Sequence, residues 1–241
     1  MQVTYTTESN LGSSFEPVDF HAHVLPSVDH GSDGIETSLR QLRLAYENGF
    51  NRVVATPHFY PSEHNVEDFL SIRDAAYEEL LRAIENRSGF PSLRLGAEIL
   101  VCEGISRLPM LDRFCIRGTK TLLFELPFSD FSKSYTDDVR NLISDGYEIV
   151  LAHANRYVRK NVNLMLEAGA KIQLNADSLS GLLISKKVKQ WLEGDHVVAI
   201  GSDIHMTDRC AYKKLKCAFR RIKRYAGVFS ESDRIWCEAS L

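Results

Sequence analysis

From residue 17 onward, short apolar and β-branched runs alternate with longer segments whose apolar positions recur at three- and four-residue steps. The strand-like runs cover 18–24, 52–58, 93–100, 121–126, 148–153, 171–175 and 197–202. Helices are predicted around 35–48, 66–86, 104–113, 135–145, 160–168, 185–193 and 211–225. The segment 66–86 shows the clearest stripe, with Phe69, Leu70, Arg73, Ala76, Tyr77, Leu80, Leu81 and Ile84 on one face. Gly49, Gly146 and Gly169 stand where a helix should stop before the next strand. No linker interrupts residues 17–226, so the pattern predicts one α/β domain over 17–241, with about seven βα units on a mostly parallel sheet. Residues 1–16 are polar and rich in Ser and Thr, and read as a flexible N-terminal arm.

Composition supports a folded, soluble chain. Of 241 residues, 44% are hydrophobic and 25% charged, enough to build one substantial core without disulfides. Lys plus Arg is 29 against 32 Asp plus Glu, and the net charge of -3 argues against duplex nucleic acid as a partner. No apolar run is long enough to span a membrane, and the first residues lack the pattern of a signal peptide. A cytoplasmic location is expected. The five cysteines, 102, 115, 210, 217 and 237, form no C-x-x-C pair, and none is followed six positions later by Arg. Thiol-based phosphatase chemistry is therefore not expected.

The informative residues close the strands. The first run ends in His21 and His23, the second in His58, the third near Glu98 and the fourth near Glu125. The fifth ends in His153, and the last in Asp203 and His205. In a parallel barrel the C-terminal strand ends gather on one face, where active sites are built. Six of the eight histidines (21, 23, 30, 58, 153 and 205) lie at or just beyond such ends, whereas His64 and His196 do not. Burying so many polar groups unpaired would cost about 1–3 kcal/mol each. Divalent cations satisfy them together: imidazole suits zinc, iron and manganese, and carboxylates can bridge two ions. The spacing His21-x-His23 puts both side chains on one strand face.

These motifs, read in order, carry a resemblance. Asp19-x-His21-x-His23, Ala55-Thr56-Pro57-His58, Gly96-Ala97-Glu98, Phe124-Glu125, Leu151-Ala152-His153-x-x-Arg156-Tyr157, Gln173-x-Asn175-x-x-Ser178 and Ser202-Asp203-x-His205 resemble the PHP (polymerase and histidinol phosphatase) superfamily. Within it they are most similar to the CpsB/YwqE type of bacterial metal-dependent protein-tyrosine phosphatases, found with capsule and exopolysaccharide genes. The resemblance spans roughly residues 17–210. It implies a distorted seven-stranded TIM-like β/α barrel with three divalent metal ions, manganese first, with iron or zinc as alternatives. By motif position, His21, His23, Glu98 and Asp203 would hold one ion, and Glu98 would bridge to a second completed by Glu125 and His153. His30, His58 and His205 would hold the third. Arg156 matches the arginine that grips phosphate; Arg209 stands near the second such arginine, one residue short of the usual spacing. The family usually reads Asp-Asp-Gly after the first strand where this chain has Asp29-His30-Gly31, which makes the third site all imidazole.

The implied reaction is hydrolysis of phosphotyrosine by metal-activated hydroxide, with no phosphoenzyme. Three divalent cations outweigh the three carboxylates, a surplus suited to a phosphate dianion and a hydroxide. The implied substrate is a phosphotyrosine protein, such as the tail of a bacterial tyrosine kinase governing capsule or exopolysaccharide synthesis, with peripheral proximity to the membrane through that kinase. An oligomer is compatible with this reading. The alternatives are a small-molecule phosphatase of histidinol-phosphate type or another PHP phosphoesterase, and, in a different class, a non-catalytic metal-stabilised interaction module. Phe59 and Tyr60 either wall a pocket for an aromatic leaving group or pack locally. Gln173, Asn175 and Ser178 either hydrogen-bond within the barrel rim or touch substrate. The basic side of the last predicted helix, with Lys213, Lys214, Lys216, Arg220, Arg221, Lys223 and Arg224, reads as a solvated face or a docking surface for acidic partners.

Overall fold

A computed structural model describes residues 16–128 and 131–238. Its strands are β1 (Val18–Ala22), β2 (Arg52–Ala55), β3 (His58–Phe59), β4 (Ser92–Leu95), β5 (Glu98–Leu100), β6 (Thr121–Glu125), β7 (Glu148–Leu151), β8 (Lys171–Asn175) and β9 (Val197–Gly201). The helices are α1 (Ile35–Glu47), α2 (Val66–Ile84), α3 (Ser134–Ser144), α4 (Arg159–Glu167), α5 (Asp177–Ser180), α6 (Lys186–Glu193), α7 (Ala211–Arg221) and α8 (Ala226–Glu238). The arm expected over residues 1–16 lies, apart from Glu16, outside the described residues.

All strand pairs are parallel, in the orders β1-β2-β4 and β3-β5-β6-β7-β8-β9. Two predicted strands are each cut in half. Pro57, which has no N–H to donate, separates β2 from β3, and Gly96-Ala97 separates β4 from β5. Hydrogen bonds carry the sheet across both breaks: Gly96 N donates to Ala55 O at 2.8 Å and Glu98 N to Pro57 O at 3.0 Å. Joined in this way, the strands make seven parallel runs among the described residues. The ring's two ends meet at one bridge, Ala22 to Ile204, flanked by Asp203 N to His21 O at 2.8 Å and His23 N to Ile204 O at 3.2 Å. This is the distorted β/α barrel expected, joined at β1 and β9 by a few bonds rather than a ladder.

The β1 strand changes face midway. Val18 and Phe20 join an inner cluster with Val54, Leu123, Val150 and Val198, while Ala22 and Val24 join the main core outside it. Strict alternation from Phe20 would bring Ala22 inward and turn His21 out. A register shift between Asp19 and Ala22 on the β1–β2 ladder reverses the parity there, and an irregularity of this kind re-aims side chains. His21 and His23 therefore take over the interior above Phe20.

The inner cluster is closed below by Ile235 and Trp236 of α8. Ser232 Oγ donates to Val198 O at 2.6 Å, and Arg52 and Arg94 stack over the Trp236 ring at 5.6 and 4.6 Å. Burying such side chains is worth about 1.5–3 kcal/mol each. The helix was not expected from the sequence, because Gly227 and two serines give it poor propensity and its packing stabilises it instead. The helix predicted over 104–113 is replaced by two 3-10 turns, Ile105–Arg107 and Leu111–Phe114, with Pro109 between them. Helices α1, α3 and α4 stop as expected, at Gly49, Gly146 and Gly169, each with positive φ. On α7 most of the basic side chains are exposed, but Arg221 donates to Leu179 O and Leu182 O at 2.9 Å each, clamping the loop after β8.

Candidate metal centre

Glu98, the first residue of β5, is the hub of a buried cluster at the C-terminal strand ends. Its Oε2 lies 3.0 Å from His21 Nε2, 3.3 Å from His23 Nε2 and 3.1 Å from His58 Nδ1. Its Oε1 lies 2.7 Å from His153 Nε2. Asp203 Oδ1 faces His21 and His23 Nε2 at 3.7 and 3.3 Å. Glu125 lies 3.7 Å from His153 and 3.8 Å from His58. Three sets of ligand atoms fall within 4.8 Å of one another: His21, His23 and Glu98; His58, Glu98 and Glu125; and His23, His58 and His205. His30 is exposed, with its ring stacked 4.8 Å from His58 and 4.7 Å from His205. It stands beside the third set, whose atoms include His23 as well as His58 and His205.

The partners outside the cluster decide which ring nitrogens face into it. The His153 N–H donates to Gln173 Oε1 at 2.6 Å, so the same oxygen must accept from His21 Nδ1, 3.2 Å away. His23 Nδ1 donates to Asp29 Oδ2 at 2.7 Å, and His205 Nδ1 donates to Asp203 O at 3.0 Å. In all three rings Nδ1 is the donor turned outward, so Nε2 is the atom turned into the cluster, the arrangement metal-binding histidines use. Against the effect of burial, the carboxylates around them push His21 and His23 above the ordinary imidazole value. His205 Nε2 and His58 Nδ1 are buried without a hydrogen-bond partner. Burial, then the neighbouring His23, pushes His58 down to about 3 and His205 to about 4, which keeps both neutral. Orphaned, neutral, inward-facing nitrogens beside carboxylates are a donor set that fits divalent transition metals.

The carboxylates divide by their surroundings. Burial opposes the charge of Glu98, but His21 and the other imidazoles hold it well below the usual range, and His21 and His23 do the same for Asp203. Burial, then the charge of Glu98, pushes Glu125 up to about 7. Two backbone distortions aim the ligands: His153 and Asp203, just beyond β7 and β9, have φ of 30° and 52°. Side-chain-bearing residues in this region cost about 1–3 kcal/mol each and cluster at functional sites. Two glycines give the imidazoles room. A Cβ on Gly31 would lie 2.0 Å from His23 Cβ, and one on Gly201 would lie 2.5 Å from His21 Cβ.

A supporting layer lies behind the cluster. Gln173 is fully buried; its Nε2 donates to Leu174 O and Asn175 Oδ1 at 2.7 and 3.0 Å. Asn175 Nδ2 donates to Asp203 Oδ2 at 2.9 Å, and Ser178 Oγ donates to Asn175 O at 2.7 Å. These three residues therefore hydrogen-bond within the rim. Asp29 was missed as a site residue: besides His23 it accepts from His58 N at 2.9 Å and Gly31 N at 2.8 Å. Its only signal in the sequence was its place beside His30. Asp19 accepts from Ser202 N and Oγ, and burial raises it to about 6.

The two expected phosphate arginines part company. Arg156 Nη2 lies 2.5 Å from Asp203 Oδ2 at the cluster's edge. Arg209 lines a separate hollow against α1, and among the described residues no contact joins it to the cluster. Phe59 is core, packed 4.9 Å from Phe69 and 4.6 Å from Phe114, whereas Tyr60 stacks on His58 at 5.2 Å. On the other side Tyr157 bonds His153 Nδ1 at 3.0 Å, and the exposed Phe128 ring stands 5.7 Å from it.

Residues 17–239 match the family described as "Capsular polysaccharide synthesis, CpsB/CapC". The chain belongs to the CpsB/CapC family. It is 28% identical over 198 residues to the tyrosine-protein phosphatase YwqE of Bacillus subtilis, covering 78% of this chain and 77% of that one. To CapC of Staphylococcus aureus it is 27% identical over 221 residues, covering 86% and 85% of the two chains. Its fold matches a chain from the crystal structures of YwqE and of CpsB from Streptococcus pneumoniae, titled unique metal-dependent tyrosine phosphatases. The TM-score is 0.74, with 21% identity over 92% of this chain and 94% of that one. A TatD family hydrolase from Entamoeba histolytica matches with a TM-score of 0.54 at 10% identity, over 91% of this chain and 97% of that one. Among the described residues no helix is long and apolar enough to cross a membrane.

Proposed function

We propose that this CpsB/CapC family member is a metal-dependent protein-tyrosine phosphatase, with residues 17–241 working as one domain. The observation that carries the proposal is the cluster around Glu98, where ring nitrogens of several histidines converge on carboxylates with Arg156 at the edge. His21, His23, Glu98 and Asp203 would hold one cation, and Glu98, Glu125 and His153 a second. His58 and His205, with His30 beside them, would hold a third. Manganese is the first choice of metal, with iron or zinc as alternatives. Divalent ions in such a site lower the pKa of water and stabilise charge on phosphoryl oxygens.

The chain's own residues then orient the ester. The Arg156 guanidinium offers a planar fork to nonbridging phosphoryl oxygens. Tyr60 on one side, and the exposed Phe128 backed by the buried Tyr157 on the other, supply aromatic surface for a tyrosyl ring. The substrate we infer is a phosphotyrosine protein, such as the tail of a tyrosine kinase in capsule synthesis, since YwqE carries the tyrosine-phosphatase name. A histidinol-phosphate-type phosphatase is the second reading, favoured by His30 in place of the family's usual Asp.

The test is a rate comparison on one manganese-loaded sample, offering a phosphotyrosine peptide and histidinol phosphate, with a chelated control. Fast, chelator-sensitive peptide hydrolysis with little action on histidinol phosphate is expected. The reverse preference would move the function to small-molecule metabolism.

A further inference from the structure

Outside the cluster, α1 and the loop after β9 enclose a hollow of about 440 Å³, lined by Arg40, Arg43, Leu44, Glu47, Thr207 and Arg209. Arg40 and Arg43 are neighbours on one face of α1, three residues apart. Among the described residues none of the three guanidiniums is in an ion pair. Arg40 donates to Thr37 Oγ1 at 2.8 Å, and Arg43 lies over the Phe90 ring at 5.1 Å. Some arginines elsewhere find carboxylates: Arg52 pairs with Glu16 and Asp233, Arg113 with Asp74, and Arg234 with Glu148, Glu231 and Glu238. In a chain of net charge -3, three unpaired guanidiniums in one hollow, with Glu47 the single acid there, make a local positive site.

The hollow adjoins the metal centre. Thr207 stands two residues beyond His205, so the two Cα atoms are at most about 7 Å apart. Met206 N bonds Gly31 O, which ties this loop to the one that carries His30. A substrate chain that leaves the cluster along the loop after β9 would pass over the hollow within a few residues.

We propose that this hollow binds carboxylate side chains of the protein substrate, a few residues from the phosphotyrosine. The proposal rests on the phosphotyrosine reading above. Arginine forks match carboxylates bidentately, and Leu44 offers an apolar wall for the stem of a glutamate. Arg209 then serves recognition of the flanking sequence and not the reacting phosphate.

The experiment uses metal-loaded protein, two phosphotyrosine peptides of equal length with either glutamate or glutamine flanks, and a small aryl phosphate. For the wild type, KM for the glutamate peptide should be about tenfold lower than for the glutamine peptide. The double change Arg40→Glu with Arg43→Glu should erase that gap and leave aryl phosphate turnover unchanged, whereas Arg40→Lys with Arg43→Lys, which keeps the charge without the fork, should retain part of it. Equal KM values for the two peptides in the wild type, or a gap that survives the charge reversal, would overturn the proposal. Should the wild type hydrolyse neither peptide nor aryl phosphate, the phosphatase reading falls alone. Fluorescence polarisation with the unphosphorylated peptides then decides: preference for the glutamate peptide, lost in the reversed variant, upholds the hollow, and equal binding overturns it.

Discussion

Arg156 and Asn175 both hold the outer oxygen of Asp203, at 2.5 and 2.9 Å, while the inner oxygen faces His23 at 3.3 Å. One carboxylate thus joins the metal cluster to the arginine at its mouth. Because Asn175 still holds Asp203 when the arginine is removed, Arg156→Ala should leave metal content intact and lower kcat/KM by about 10²–10³. Arg156→Lys keeps the charge but loses the fork, and should recover only part of that rate. Metal analysis beside steady-state kinetics checks this; loss of metal in Arg156→Ala would make the arginine a structural partner of Asp203.

Gln173 fixes two ligands with one oxygen, accepting from His153 N at 2.6 Å and His21 Nδ1 at 3.2 Å. Gln173→Leu removes the acceptor that holds the His21 tautomer, and should weaken metal binding by about 10–100-fold. Competition with a chelator, followed by metal titration, measures it. Gln173→Glu keeps the acceptor oxygen and should fall less.

Gly31→Ala tests the packing behind His23. The added methyl would lie 2.0 Å from His23 Cβ and 2.6 Å from its carbonyl oxygen, so β1 and the His30 loop must separate. Overpacking of this kind costs about 1–3 kcal/mol. Thermal unfolding should show that loss, with reduced metal retention, and Gly34→Ala, which meets nothing within 4 Å, is the control.

The cysteines give a prediction from burial. Burial pushes the Cys115 thiol up to about 12, while Cys210 and Cys237 are exposed. Only the thiolate alkylates, so at neutral pH iodoacetamide should label Cys210 and Cys237 in the folded protein and reach Cys115 only after unfolding. Peptide mass mapping reads the order of labelling directly.

The strand ends were legible because parallel strands carry near-continuous apolar runs, and a histidine or carboxylate interrupts each run visibly. That is why His21, His58, Glu98, Glu125, His153 and Asp203 could be read as one group. The support around them was not legible. Gln173 lies 152 residues from His21, and nothing local to either marks their bond. The facing of His21 follows from a register shift after Asp19, which depends on the neighbouring strand and not on β1 alone. Arg209 was placed by motif spacing alone, one residue short of the family pattern, and nothing in the sequence showed that it would line the hollow against α1. The helix expected over 104–113 failed on Pro109, and α8 was missed because packing rather than propensity forms it.

The floor of the barrel has a consequence for the order in which the protein can be made. Val18 and Phe20 come from its first strand, and the Ile235 and Trp236 that cover them follow its last. During translation the apolar interior stays open to water until α8 has left the ribosome. A chain that ended just before α8 would hold an unsealed barrel with Phe20 uncovered, a target for chaperones that bind exposed aromatic surface.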